Sequence, residues 1–308
     1  MTQTPPKVAE ALESIAERWF TEQRRARRWA GFWRGLIAFY FGLFAAVYLA
    51  SNWDTLWTAR GPHAAVVKIE GPIGSRDQAS AESVIKALRA AFDNPQAKAV
   101  LLAIDSPGGS PVQAELMRAE IKRLRGRHPD RPILAVIGDT GASAAYYIAS
   151  SADTIYASRA SLVGSIGVRI DSFGFEGALR ELGVERRLLT AGAHKGILDP
   201  FSPLPEGQRA LVQEVLDGLH GQFVAVVKQG RGERLNGGEE LFTGLFWSGE
   251  QAQALGLVDA IGDTCTALDA LGLEHTVDYT PSVFAQAFGQ AFGAALSGAV
   301  RGLGWTWR

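Results

Sequence analysis

The sequence predicts an α/β domain that follows an apolar N-terminal segment. Two observations predict the domain: short aliphatic runs alternate with longer stretches of helical periodicity, and glycine-containing turns separate them. A third observation, an apolar run near the N-terminus that reaches about 20 residues, predicts a membrane-spanning helix. With 308 residues, the chain has room for one large domain or two modest ones.

Composition excludes several classes of function. The formal net charge is −1, and the sequence has no basic stripe beyond its N-terminal region, so we expect no nucleic-acid partner. Cys265 is the single cysteine, which rules out an intramolecular disulfide and a cysteine-rich metal site. We expect the protein to use neither a metal ion nor another cofactor.

The N-terminal region is predicted to anchor the protein in a membrane. Residues 1–30 are predicted as a cytoplasmic helix that ends in an arginine cluster, and residues 31–54 as a transmembrane signal-anchor flanked by tryptophans. The arginines before the run place the N-terminus in the cytoplasm and the rest outside. A buried core helix is one alternative. A cleaved signal peptide is another, although residues 48–50 form no A-x-A site and the preceding region is long.

The globular domain is predicted over residues 62–275. Its first strand starts at Ala64 and its first helix at Ser80, where apolar residues recur on one helical face. Further strands are predicted at 99–104, 132–137, 154–157, 162–170 and 186–190. The second helix is expected to bury a face that holds Val112, Leu116, Met117, Ile121 and Leu124.

Two further helices and a tail complete the chain. A short helix is predicted at 175–182 and a long one at 205–229, separated by an irregular loop. The long helix is expected to bury Leu211, Val212, Val215, Leu216, Leu219, Phe223 and Val226. Residues 276–308 are rich in phenylalanine and small residues, which favours a peripheral or oligomer-facing tail, with plain disorder as the alternative.

The stretch at residues 138–153 carries the first candidate for chemistry. It offers one hydroxyl, Ser143, among small residues, between a predicted strand and a predicted helix. A strand-to-helix turn would place this serine beside the free backbone N–H groups of a helix start, which favour negative charge. That is the environment of an acyl-transfer nucleophile, provided that a base lies within reach.

The sequence leaves two candidates for that base. None of the five histidines has a setting that suggests a triad, although a Ser/His/Asp arrangement through His194 stays open. A lysine can act as a base when burial or neighbouring cations depress its pKa. Lys195 lies in a loop of small and apolar residues, unlike the other lysines. A solvated surface amine is the alternative reading of this residue.

Several motifs follow one another through the domain. The main ones are residues 105–109 (DSPGG), 141–149 (GASAAYYIA), 164–168 (GSIGV), 190–195 (TAGAHK) and 256–259 (GLVD). In this order, and with an N-terminal anchor, they resemble the signal peptide peptidase A family, peptidase family S49, in its short bacterial form. The resemblance covers about residues 64–262. It implies a ClpP/crotonase-like fold of repeated strand–strand–helix units.

The resemblance also implies roles for single residues. Ser143 would be the nucleophile and Lys195 the general base of a Ser/Lys dyad in a serine endopeptidase. Gly108, Gly109 and Ala144 are expected to supply oxyanion donors, because glycine lets the backbone approach closely. An ordinary strand-to-helix turn is the alternative for Gly108 and Gly109. Ser165 is expected to orient the lysine amine, with a plain packing role as the alternative.

The family further implies a location, substrates and partners. We expect a single-pass protein of the bacterial inner membrane, with its catalytic domain on the periplasmic side and membrane lipid around its anchor. The expected substrates are peptides, such as remnant signal peptides or segments of membrane proteins. A homo-oligomeric ring is expected, and whether the lysine serves the serine of its own chain or that of a neighbouring copy stays open. The family often has Gly-Gly after the nucleophile, whereas Ala144-Ala145 stand here, and the effect of their methyl groups on the substrate groove stays open.

Two other functions stay open at this point. A crotonase-type acyl-CoA hydratase or thioesterase would share the same turns, although no pair of glutamates suggests hydration. A catalytically inactive ring that organises other membrane proteins is the second alternative, against which Ser143 and Lys195 both count.

Overall fold

The structure is a computed structural model. It describes residues 61–281 without a break and, nearer the N-terminus, residues 31–44 with Trp19, residues 24–25, 27–29 and Ala46. The chain divides into two compact units, Met1–Trp57 and Thr58–Arg308. Most of the predicted N-terminal helix (1–30) and nearly all of the predicted tail (276–308) therefore lie outside the described residues.

Residues 31–44 of the first unit are helical. Within the described part of the chain, no helix is both long enough and apolar enough to cross a membrane. The predicted span, 31–54, continues into residues that the structure does not describe.

The second unit is built on a mixed sheet, which confirms the predicted α/β class. Its strands are β1 (His63–Glu70), β2 (Ala97–Ser106), β3 (Ile133–Ala142), β4 (Thr154–Ala157), β5 (Leu162–Gly164), β6 (Phe246–Ser248), β7 (Ala260–Ile261) and β8 (Thr276–Asp278). The order is β6-β5-β3-β2-β1-β8, and β4 pairs with both β3 and β7. The β5–β6 pair is antiparallel and the other pairs are parallel.

The helices cover both faces of this sheet. They are α1 (Ala81–Asp93), α2 (Pro111–Arg127), α3 (Ala144–Ala149), α4 (Glu176–Glu181), α5 (Glu206–Arg231), α6 (Gly249–Ala254) and α7 (Thr264–Leu271). Helices α1, α2 and α3 bury the larger apolar cluster, while α7 packs on the opposite face. The central strands are thus buried on both faces, which explains their nearly continuous aliphatic sequence.

Serine caps fix where the first two helices begin. The Ser80 and Ser110 hydroxyls accept the backbone N–H groups of Ser83 and Gln113, which would otherwise lack partners at the start of each helix. Pro111 follows Ser110 in the first turn of α2, where its missing N–H costs nothing. Because α2 begins only five residues after the end of β2, this cap also helps to position the short loop that connects them.

Some sequence-based predictions are wrong. Residues 186–190 form no strand and have no strand partner in the described sheet, and of the strand predicted at 162–170 only Leu162–Gly164 pairs. In α2, Met117, Ile121 and Leu124 are buried as expected, but Val112 and Leu116 are exposed. In α5, Leu211 and Val215 are exposed, and only Phe223 of the expected face is fully buried. Helical periodicity identifies an apolar face but not what covers it.

A buried ion pair fastens the end of α5 to the sheet. The Arg231 guanidinium, with a fully buried side chain, makes two 2.8 Å hydrogen bonds to the Asp259 carboxylate. Asp259 also accepts the Ile155 N–H at the start of β4. Burial by itself would raise the pKa of Asp259, but the hydrogen bonds and the charges of Arg231 and Arg234 outweigh it and lower that pKa.

We predict that Asp259→Asn lowers the free energy of unfolding by about 3–5 kcal/mol, because it leaves the Arg231 charge buried without a counter-charge. Urea unfolding measures the loss. Since the folded pKa of Asp259 is depressed, its contribution is present above the ordinary carboxyl value of 3.8 and is lost as the pH falls below it. The difference between wild type and variant should therefore shrink in acid.

Glu250→Gln is the matched control, since Glu250 pairs with Arg159 on the open surface, where both side chains are more than 60% exposed (66% and 70%). Its cost should stay below about 1 kcal/mol. If Asp259→Asn lowers the free energy of unfolding no more than Glu250→Gln does, the buried pair of Arg231 and Asp259 does not stabilise the fold as described.

Candidate active site

Ser143 lies on a sharp turn between β3 and α3. Its backbone angles, φ 55° and ψ −126°, are strained for a residue with a side chain. The Ser143 N–H donates a 2.8 Å hydrogen bond to the carbonyl oxygen of Gly164, which holds the turn against the end of β5. A serine on a strained strand-to-helix turn is the arrangement that exposes a nucleophile at the edge of a sheet.

Gly108 packs directly against this turn. A Cβ atom at Gly108 would lie 2.7 Å from the Ser143 Cβ, 2.8 Å from the Ala142 oxygen and 2.9 Å from the Ala144 nitrogen. Its φ of +102° also favours glycine. The structure therefore brings together three of the residues that the sequence singled out: Gly108, Ser143 and Ala144.

The hydrogen bonds of this loop leave one amide available. The Gly108 N–H donates to the Ser106 hydroxyl, the Gly108 carbonyl accepts the Ile73 N–H, and the Ser110 N–H donates to the Ile73 carbonyl. Gly109, which forms the bridge to Ile73, consequently turns its own N–H to the opposite side. Over residues 61–281 this N–H has no acceptor, and Gly109 is exposed to solvent.

The two alanines after Ser143 are buried. Ala144 is 5% exposed and Ala145 is fully buried, and both belong to the large apolar cluster between the sheet and its helices. Their methyl groups therefore pack in the core of the domain. Alanine has a higher helix propensity than glycine, by about 1 kcal/mol, so the methyl groups favour the short helix α3.

Tyr147, one helical turn after Ser143, fastens α3 to its neighbours. Its hydroxyl donates to Glu115 of α2 at 2.5 Å, and its ring packs against Phe223 of α5. Burial, together with the Glu115 hydrogen bond and charge, raises the pKa of Tyr147 to about 12. The sequence showed only that an aromatic pair follows the serine, and nothing in it indicated the carboxylate partner.

Among the described residues, no hydrogen bond joins Lys195 to Ser143. It lies in the loop between α4 and α5 with an exposed side chain, and among the described residues its amine has no hydrogen bond or ion pair. His194, the alternative base, is exposed beside it. Ser165 is nearer to the serine: it follows Gly164, shares the strained positive φ (52°), and donates its N–H to the Leu245 carbonyl.

The segment around Lys195 exposes many apolar side chains. Between residues 170 and 215 they are Ile170, Phe173, Phe175, Leu182, Val184, Leu188, Leu189, Phe201, Leu204, Leu211 and Val215. Leu189 is 95% exposed, and α4 buries none of its residues. Contiguous apolar surface of this kind marks a place where another molecule binds. We call residues 170–215 the apolar segment.

Metal and small-molecule sites do not compete with this assignment. Over the residues that the structure describes, no cluster of His, Cys, Asp and Glu side chains could hold a metal ion. A cavity of about 360 Å³ lies at the opposite edge of the sheet, where β3 and β4 begin, and Lys122, Arg125 and Asp153 help to line it. Arg125 already pairs there with Asp153.

A serine on a strained strand-to-helix turn, beside a glycine loop with an open amide, resembles the turn on which many α/β hydrolases carry their nucleophile. Residues 126–278, which include Ser143 and Lys195, match the family described as Peptidase family S49. The protease candidate slr0021 of Synechocystis is 31% identical over 196 residues, which cover 64% of this chain and 68% of that protein. The chain belongs to peptidase family S49, the family of the SppA peptidases.

Other relatives are longer. The signal peptide peptidase candidate SppA of Enterococcus faecium is 35% identical over 208 residues, 67% of this chain and 59% of that one. The protein named Na(+)/H(+) antiporter NhaA of Brucella melitensis is 39% identical over 208 residues, and this chain spans only 28% of its length. The solved structure of the 1510-N membrane-bound stomatin-specific protease has a TM-score of 0.44 and 18% identity, over 71% of this chain and 94% of that one.

We predict that Gly108→Ala disrupts the turn of Ser143. The added methyl group would meet the Ser143 Cβ at 2.7 Å in a backbone conformation with positive φ, so either the loop or the serine must move. The free energy of unfolding should fall by about 1–3 kcal/mol, measured by urea denaturation. Labelling of Ser143 by a fluorophosphonate should slow at the same time.

Gly126→Ala provides the control. Gly126 lies in the last turn of α2, with nothing within 4 Å of the added methyl group. That change should stabilise the protein by up to about 1 kcal/mol. Equal behaviour of the two variants would show that the contact between Gly108 and Ser143 is not the constraint described.

Proposed function

We propose that the protein is a membrane-anchored serine endopeptidase in which Ser143 is the nucleophile. The observation that carries this proposal is the strained turn of Ser143, beside a loop that only glycine allows to come so close. Membership of peptidase family S49 supports a peptidase. A buried structural serine would have no need of a strained backbone.

The geometry supports a definite division of roles in acyl transfer. The Ser143 hydroxyl attacks the scissile carbonyl, a base takes its proton, and the same base returns the proton to the leaving amine. The open N–H groups of Gly109 and Ala144 flank the serine and are proposed to bind the oxyanion. Gly108 allows the close approach of the two turns but supplies no oxyanion donor, because its N–H is already bound to Ser106.

Lys195 is the proposed base, and we propose that it acts on the serine of a neighbouring copy. Its exposed amine lacks a partner in the described part of its own chain, and it lies within the apolar segment. A neighbouring copy packed on that segment would bury the lysine, which favours its neutral form. A ring of copies would give every serine a lysine in this way, and Ser165 is then proposed to orient the amine.

We also propose that residues 31–54 hold the protein in the bacterial inner membrane, with the peptidase domain on the periplasmic side. The helix at residues 31–44 presents exposed apolar side chains such as Ile37, Phe39 and Leu43, which suit lipid contact. The proposed substrates are peptides that the membrane releases on that side, such as remnant signal peptides.

The dyad is tested with the full chain in detergent, on a hydrophobic peptide substrate. Ser143→Ala and Lys195→Ala should each lower kcat by at least about a hundredfold, because attack then lacks its nucleophile or its base. The wild-type rate should rise towards alkaline pH, since only the neutral amine accepts the proton. Lys98→Ala is the control, because the Lys98 amine is exposed and bonded only to the Pro95 carbonyl.

Mixing the two inactive variants tests whether the dyad is shared. If Lys195 serves the serine of a neighbour, mixed assemblies of Ser143→Ala and Lys195→Ala contain some complete sites, and activity should return. Activity that stays absent although the variants co-assemble would exclude a shared dyad. Wild-type activity in Ser143→Ala would overturn the proposed function.

The anchor is tested by extraction of membranes at alkaline pH. The full chain should stay with the lipid pellet, whereas a variant with three leucines or phenylalanines of residues 36–44 changed to aspartate should be released, because each central charge costs about 3 kcal/mol in a membrane. Release of the wild-type chain would exclude a spanning anchor.

A further inference from the structure

Ser106 is a buried serine beside the candidate site that the roles above do not use. It is the last residue of β2, its side chain is fully buried, and it pairs with Gly141 of β3 after a shift in the register of the two strands. Its hydroxyl accepts the Gly108 N–H at 3.1 Å. A serine hydroxyl that binds the amide two residues on is a local turn-forming interaction.

We infer that Ser106 is a positioning residue, whose hydroxyl orients the glycine loop so that the Gly109 N–H faces the reacting carbonyl. This inference rests on the proposed function and deepens it. With the Gly108 N–H bound to Ser106 and the Gly108 carbonyl bound to Ile73, the peptide groups on both sides of Gly108 are fixed. The next amide, that of Gly109, can then point only away from Ile73.

The Ile73 N–H fixes the peptide group after Gly108, and among the described residues only the Ser106 hydroxyl fixes the peptide group before it. Gly108 and Gly109 both have positive φ, and neither has a side chain that would limit rotation. Pro107 before them has no N–H to contribute. Without the Ser106 hydroxyl, the buried Gly108 N–H would lose its acceptor, which costs about 1–3 kcal/mol and drives the peptide group to turn.

A rotation of this peptide group would displace groups at Ser143. Because Gly108 approaches Ser143 so closely, a shift of the peptide group displaces either the oxyanion donor or the serine. Displacements of about 1 Å in a catalytic geometry reduce rates by roughly a hundredfold. Substrate binding away from the carbonyl is not expected to change, so the effect should fall on kcat rather than on KM.

The test compares Ser106→Ala with Ser161→Ala in the full chain. Ser161 is equally buried, accepts the Ser158 N–H and donates to the Gly138 carbonyl, so it makes the same kind of bond in another turn. Ser106→Ala should lower kcat by about 10- to 100-fold with KM within about twofold of wild type. Ser161→Ala should keep the wild-type kcat per folded molecule.

The affinity for a peptide aldehyde distinguishes a positioning role of Ser106 from a purely structural one. Its adduct with Ser143 carries an oxyanion, so its affinity for Ser106→Ala should fall by the same factor as kcat/KM. Binding of the peptide substrate should be equal in Ser143→Ala and in the double variant with Ser106→Ala. Wild-type kcat and aldehyde affinity in Ser106→Ala, or equal losses in Ser161→Ala, would overturn the inference.

A variant that does not fold and a failure of the proposed function can both be told apart from a failure of the inference. If Ser106→Ala does not fold, Ser106→Cys keeps the side-chain volume with a weaker acceptor, and a wild-type kcat in that variant would overturn the inference. If Ser143→Ala keeps wild-type activity, the proposed function itself fails, whatever the Ser106 variants do.

Discussion

The close approach of the Gly108 backbone to Ser143 is the contact on which the rest of the candidate site depends. It requires a glycine with positive φ, a strained serine, and two strand ends that pair at Ser106 and Gly141 after a shift in register. A side chain at Gly108 would collide with this turn, because its Cβ atom would lie within 3 Å of Ala142, Ser143 and Ala144. The sheet thus supplies the rigid frame against which a strained turn is maintained.

The buried pair of Arg231 and Asp259 connects this frame to the segment that carries Lys195. Asp259 lies beside the start of β4, and Arg231 is the last residue of α5. The first residues of α5 belong to the apolar segment, which also contains Lys195. Only the C-terminal part of α5 is therefore tied to the sheet. The rest of the helix, towards the loop that carries Lys195, has exposed or half-buried apolar side chains.

Local patterns in the sequence were sufficient for most of the fold. Ser80 before an amphipathic run predicts the start of α1, and the aliphatic runs predict β1, β2, β3 and β4. The small residues around Ser143 predict its turn. The acceptor role of Ser106 and the bond from Tyr147 to Glu115 were not predictable, since each depends on the pairing of segments far apart or on the geometry of one loop. The false strand at residues 186–190 has the same cause: propensity does not supply a strand partner.

The exposed apolar segment argues for coupling between assembly and catalysis. An isolated copy gains little burial from residues 170–215, although fully burying one large aliphatic or aromatic side chain contributes about 1.5–3 kcal/mol. A neighbouring copy that covers this segment would recover that free energy and desolvate Lys195 in the same step. On the proposed mechanism, the serine and its glycine loop are complete in each chain, while the base becomes effective only in the assembly. Such an enzyme would be inactive as a single copy, which protects its surroundings until the ring has formed.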